Sequence, residues 1–126
     1  MSRSPRFIGW SVDRSEREAL LARFPPAYAN AVADHVTLKF APGQHAELPA
    51  ERGGHIVGVA DDGRGVQAMV VRIGGTTDRP DGSTFHITWS LAEGRQAKES
   101  NDVIRDHGWR PLPEPVAVTL EPKAYP

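Results

Sequence analysis

The sequence predicts a single α+β domain, with a largely antiparallel sheet and two main helices. Runs in which apolar and polar residues alternate, as they do in half-buried strands, recur along the whole chain. Two other segments carry helix-forming residues between capping and stopping signals. The 126 residues, 39% of them hydrophobic and 25% charged, suffice for one core, so we treat residues 1–126 as one domain.

The first half of the chain contains two strand signals around a helix signal. Loose alternation predicts a strand at Phe7–Val12. Ser15 and Glu18 fit a capping box at the start of a helix, which a pair of prolines ends near Arg23. The second strand is predicted at His35–Phe40, where alternation is regular.

The second half predicts a hairpin, a strand, a helix and a strand. A linker that bears glycines separates β-rich runs at 55–60 and 66–73, which is typical of a hairpin. A polar loop leads into a strand at 85–90, and the amphipathic segment 93–107 predicts the second helix. A final short strand is predicted at 116–120. This order favours helices that cover one face of the sheet.

Composition excludes several classes of protein. The formal net charge of −1 argues against broad capture of duplex nucleic acid, although one or two phosphates could still be held in a pocket. Without cysteine, disulfides and thiolate zinc sites are impossible. No apolar run reaches membrane-spanning length, and we see no signal-peptide stretch. We therefore expect a cytoplasmic monomer that does not contact a membrane.

Two of the predicted strands carry the same polar pattern. Neighbouring side chains of a strand point to opposite faces, so each of these strands has an apolar and a polar face. The apolar faces hold Val36, Leu38 and Phe40 in one strand and Phe85, Ile87 and Trp89 in the other. The polar faces present His35 with Thr37, and His86 with Thr88. Side by side, such strands would surround one small cavity with two imidazoles and two hydroxyls.

A single His-x-Thr would be interpreted as structural, because short motifs match by chance and threonine favours strands. Two matched copies favour a shared polar pocket. Histidine suits both general acid and general base catalysis, because its ordinary pKa lies near neutrality. Threonine hydroxyls could donate hydrogen bonds to an anionic group in such a pocket. We expect no metal and no cofactor.

The pair of motifs resembles the signature of the 2H phosphoesterase superfamily, whose members carry two His-x-Thr/Ser motifs on two central strands. Together with segment 95–101, it is most similar to the cyclic phosphodiesterase domain of fungal-type tRNA ligases. The short stretch between the motifs implies a reduced form of that fold. The resemblance implies His35 and His86 as the acid/base pair, and Thr37 and Thr88 as phosphate-binding residues. Which histidine is the base stays open, with a preference for His86.

The function that the resemblance implies is metal-independent hydrolysis of a 2′,3′-cyclic phosphate to a phosphomonoester. The substrate would be an RNA 3′ end or a small cyclic nucleotide. Two alternatives stay open. The same histidines could cleave cyclic-oligonucleotide signals or 2′,5′-linkages, or the domain could bind a nucleotide or RNA end without catalysis.

Five further residues are candidates for substrate contacts. Lys39 and Ser90 continue the polar faces of the two strands, and Arg79 and Lys98 could steer phosphates, although most charged residues are simply solvated. Tyr28 is a candidate for stacking on a base. The remaining histidines are interpreted otherwise, as solvated loop residues at His45 and His55 and as a structural residue at His107.

Overall fold

The computed structural model describes residues 4–43 and 45–126; residues 1–3, and residue 44 at the start of a predicted loop, lie outside the described residues. Two helices and seven strands follow one another in the described chain. They are β1 (Phe7–Val12), α1 (Arg14–Arg23), β2 (Asn30–Ala31), β3 (His35–Phe40), β4 (Gly53–Asp61), β5 (Val66–Arg72), β6 (His86–Leu91), α2 (Glu99–His107) and β7 (Arg110–Tyr125). The prediction of an α+β domain with a mostly antiparallel sheet is confirmed.

The strands close into a six-stranded barrel, which the prediction of a sheet with both helices on one face did not include. All pairings are antiparallel, in the order β6-β3-β1-β7-β4-β5, and β5 pairs in turn with β6. The two-residue strand β2 pairs with Ser90 and Leu91 at the end of β6. Closure depends on β7, which pairs with β4 over its first half and with β1 over its second.

Two apolar clusters lie on opposite sides of the barrel wall. The interior cluster includes Trp10 and Trp89, which are 1% and 0% exposed, and Leu20 of α1 joins it. The second cluster lies outside β4 and β5, where Val103 and Ile104 of α2 cover the wall. Because β5 is covered on both faces, its residues are buried without alternation.

Three details of the predicted elements are wrong. Helix α1 is capped not by a box of Ser15 and Glu18 but by Asp13, whose carboxylate accepts from two backbone amides of the first turn. Helix α2 begins six residues later than predicted, at Glu99, because Gly94 adopts a φ of 82° within a series of turns. The final strand extends far beyond 116–120, since prolines interrupt a strand only where its ladder needs their N–H.

Among the described residues, no helix is long and apolar enough to span a bilayer.

Candidate functional site

The two His-x-Thr strands are neighbours in the barrel. Strands β3 and β6 are antiparallel and pair at Val36 and Ile87, both of which point into the interior cluster. In an antiparallel pair this register places His35 opposite Thr88 and Thr37 opposite His86, on the outer face of the wall. Side chains that face each other in this way have Cβ atoms about 4.5–5.5 Å apart. The four motif residues therefore form a compact group in which each histidine lies across from a threonine.

These four side chains line one cavity of about 380 Å³. Its walls come from β1, β3, β6, the end of β7, the loop before β6 and the start of α2. The lining residues are Arg6, Phe7, Asp34, His35, Thr37, Phe40, Arg79, His86, Thr88, Ala97, Lys98, Asn101 and Tyr125. Six of the predicted site residues are thus brought together: the two histidines, the two threonines, Arg79 and Lys98.

His86 has a free nitrogen available as a proton acceptor. Its Nδ1 lies 2.8 Å from the carbonyl oxygen of Thr84. A carbonyl only accepts, so Nδ1 carries the ring proton and Nε2 of the neutral ring is left with a lone pair. Burial lowers the pKa of His86 from its usual value, and the nearby charges of Arg79 and His35 lower it further, against the opposing effect of the Thr84 hydrogen bond. The ring therefore stays neutral below the ordinary pKa of histidine.

His35 has a carboxylate partner instead. Its Nδ1 lies 3.0 Å from Oδ2 of Asp34, and the other carboxylate oxygen lies 3.2 Å from Nη1 of Arg14. The ring is also flanked by Phe7, with centroids 5.0 Å apart, and by Tyr125 at 5.3 Å. Asp34 was not among the predicted site residues, although an acidic residue directly before the motif histidine was an available signal.

Both threonines are largely buried but reach the cavity. Thr37 is 8% exposed and Thr88 is 7% exposed. Oγ1 of Thr88 lies 2.8 Å from Oγ of Ser100 on α2, and donates over 3.3 Å to the carbonyl oxygen of Ala97. The start of α2 is thereby linked directly to the second motif.

Arg79 is a buried cation in the wall of the cavity. Its side chain is 3% exposed and forms two hydrogen bonds of 3.1 Å to the carboxylate of Asp81. The guanidinium lies 5.3 Å from the ring centroid of Phe40, and Nη2 lies 3.5 Å from Asn101. The hydrogen bonds from Arg79 hold the pKa of Asp81 well below its usual range. Lys98, in contrast, is exposed at the rim.

A β-bulge removes Lys39 from the site. The register of β1 against β3 shifts, so that Ile8 faces Lys39 while the adjacent Gly9 faces Thr37. Leu38 is therefore an extra residue, and every later side chain is displaced to the other face. Lys39 is absent from the cavity lining, whereas Phe40, predicted to be in the core, is 54% exposed and lines the cavity. Glycine within a strand often marks a bulge, so Gly9 was a usable signal.

Ser90 and Tyr28 are also absent from the cavity. Ser90 continues the face of His86 and Thr88 but is fully buried, and its hydroxyl donates to Oε1 of Gln67 over 2.5 Å. Tyr28 donates its backbone N–H to Ser90 and its hydroxyl to Asp61. The fold covers this part of β6 with the segment that precedes β3, so neither residue lines the cavity.

The remaining histidines do not converge. His45, His55 and His107 are all exposed, and within residues 4–43 and 45–126 no three His, Asp or Glu side chains are grouped as metal ligands would be. A larger cavity of about 790 Å³ lies elsewhere, between α1, β4 and β7, and includes none of the predicted site residues.

Comparisons of the chain with protein-family models, with curated proteins and with solved structures found no significant match.

Proposed function

We propose that this protein is a cyclic phosphodiesterase that hydrolyses a 2′,3′-cyclic phosphate to a phosphomonoester, as a reduced relative of the 2H phosphoesterases. The observation that carries the proposal is the grouping of His35, His86, Thr37 and Thr88 around one cavity. The two imidazoles differ in the partner of Nδ1, a backbone carbonyl for His86 and a carboxylate for His35. Two histidines in unlike surroundings are what acid and base roles require.

His86 is suited to act as the base. Its Nδ1 is occupied as a donor and its Nε2 is free, so it accepts a proton from a water that attacks phosphorus. The new bond joins that water oxygen to phosphorus. Its lowered pKa leaves the ring unprotonated at neutral pH.

His35 is suited to act as the acid. It gives a proton from Nε2 to the ribose oxygen as the bond from that oxygen to phosphorus breaks, which yields a free hydroxyl and a phosphomonoester. Asp34 fixes the ring through Nδ1 and carries the charge opposite to that of an imidazolium. The proton taken up by His86 and the one lost by His35 balance over the cycle.

The lining favours a small anionic ligand. Arg6, Arg79 and Lys98 line the cavity beside the carboxylate of Asp34, and Arg79 is also paired with Asp81 just outside the lining. Charge on the non-bridging oxygens would be met by these cations and by the two threonine hydroxyls. Ligand pockets span about 300–1,000 Å³, so a cavity of about 380 Å³ is small. This favours a mononucleotide or one terminal nucleotide over a cyclic oligonucleotide.

The test is hydrolysis of nucleoside 2′,3′-cyclic monophosphates, and of an RNA with a cyclic-phosphate end, in the presence of EDTA. We expect turnover by the wild type and a loss of about 10²–10⁴-fold in each of His35→Ala and His86→Ala. His55→Ala is the matched control, because it removes an exposed histidine outside the cavity. Circular dichroism would verify the fold of each variant. Absence of turnover with both substrates would refute the proposal.

A further inference from the structure

Ser100 is a fully buried polar residue whose role the histidine chemistry does not explain. It is the second residue of α2, it is 0% exposed, and its hydroxyl lies 2.8 Å from Oγ1 of Thr88. Unlike Thr88, it does not line the cavity. Ser100 therefore contacts Thr88, a candidate phosphate-binding residue, from outside the cavity lining.

The direction of this hydrogen bond follows from an inventory of protons. A buried hydroxyl proton needs an acceptor, and among the described residues the Ser100 hydroxyl has no hydrogen-bond partner other than Thr88. Thr88 in turn points its own proton at the carbonyl oxygen of Ala97, over a long 3.3 Å. The chain of donors consequently runs from Ser100 to Thr88 to Ala97.

The hydrogen bond from Thr88 to Ala97 lies at the cavity, because both residues line it. An anionic oxygen in the cavity is a stronger acceptor than a neutral carbonyl at 3.3 Å. The Thr88 proton would turn to that oxygen, while the bond from Ser100 stays in place. A hydroxyl that already accepts a hydrogen bond is also a better donor.

We propose that Ser100 is a positioning residue that donates to Thr88 and thereby directs the only hydroxyl proton of Thr88 at a phosphate oxygen. The inference rests on the proposed function to the extent that the ligand carries a phosphate group. It does not require that the phosphate be hydrolysed.

The experiment measures affinity for a nucleoside 2′-monophosphate by titration calorimetry. The proteins are the wild type, Ser100→Ala, Thr88→Val and the double variant. Ser90→Ala is the matched control, since it removes another fully buried serine hydroxyl, from β6, outside the cavity. Unfolding by urea would show whether the two serine variants lose comparable stability.

We expect Ser100→Ala to weaken binding about tenfold, because the hydrogen bond from Thr88 to the charged phosphate oxygen is impaired rather than removed. Ser90→Ala should bind as the wild type does, and Ser100→Ala should add no loss on the Thr88→Val background. In turnover, kcat/KM should fall without a shift of the acid limb of the pH profile, since His86 is untouched.

Three results would overturn the inference. They are an equal loss of affinity when Ser100→Ala is made in the wild type and in Thr88→Val, an unchanged affinity in Ser100→Ala, and no binding of the nucleotide by the wild type. Coupled losses of affinity in a protein that does not hydrolyse the cyclic phosphates would support the role of Ser100 and refute the proposed catalysis. The two proposals therefore fail separately.

Discussion

At the scale of single residues, the site distinguishes two identical side chains by what each Nδ1 touches. The Thr84 carbonyl holds the ring proton of His86 on Nδ1 and so leaves Nε2 of the neutral ring as the acceptor, whereas Asp34 gives His35 a charged partner. The sequence shows two equal motifs. Only the surroundings, contributed by the loop before β6 and by the residue before β3, make them unequal.

Under the proposed function, the pH dependence of hydrolysis should follow the protonation of His86. A base must be unprotonated, and the pKa of His86 lies below the usual histidine value of 6.5. Activity should therefore be kept at mildly acidic pH, and the acid limb of kcat/KM should have its midpoint below pH 6.5. Removing the Arg79 charge favours protonation, so Arg79→Met should move this limb to higher pH.

The measurement combines the pH profile with an NMR titration of the His86 ring in the absence of substrate, which reads its pKa independently of substrate binding. Lys98→Met is the control, because it removes an exposed cation of the same cavity. A limb that moves equally in both variants, or moves to lower pH in Arg79→Met, would contradict the assignment of His86 as the base.

At the scale of elements, a one-residue irregularity decides which side chains reach the cavity. The bulge at Leu38 turns Phe40 toward the cavity and Lys39 away from it. The register shift lies beside Gly9 of β1, which packs closely against β3. A Cβ at this position would collide with the carbonyl oxygen of Val36, so the glycine permits the approach that holds β3 in place.

Gly9→Ala should therefore destabilise the protein and disturb the site. Forcing a methyl group into a packed region typically costs about 1–3 kcal/mol of unfolding free energy. Urea unfolding would measure this loss, and turnover by the remaining folded protein should also fall, since β3 carries His35 and Thr37. Gly53→Ala is a matched change in strand β4, where the new Cβ would lie 3.3 Å from the Val118 carbonyl oxygen, a tight but tolerable contact. If both variants behave alike, the close approach at Gly9 has no special role.

At the scale of the whole molecule, the site lies on one seam of the barrel wall, defined here as the pairing of β3 with β6. The seam is joined at Val36 and Ile87, whose side chains are fully buried inside while the histidines and threonines face outward. The same two strands therefore supply both the packed interior of the barrel and the residues of the site. A loss of interior packing at the seam should therefore lower turnover at the site.

Ile87→Ala and Ile56→Ala test this dependence. Both residues are isoleucines of the interior cluster with 0% exposure, so each substitution should cost about 2–5 kcal/mol of unfolding free energy. Ile87 supports the seam, whereas Ile56 lies on β4, away from the cavity. We expect turnover per folded molecule to fall only in Ile87→Ala. Turnover would be measured at a temperature well below the unfolding midpoints of the two variants. Equal turnover in the two variants would show that the seam does not need its interior packing.

The sequence by itself determined the approximate positions of the main strands and of both helices, and the four motif residues of the site. Local periodicity and capping chemistry encode these features, and they do not depend on distant partners. The tertiary structure alone decided the closure of the barrel, the absence of Ser90, Tyr28 and Lys39 from the cavity, and the contact of Ser100 with Thr88. Each of these depends on residues brought together from separate elements or on a register shift between strands. Such relations carry no periodic signal within one segment, which is the physical reason that the local pattern could not predict them.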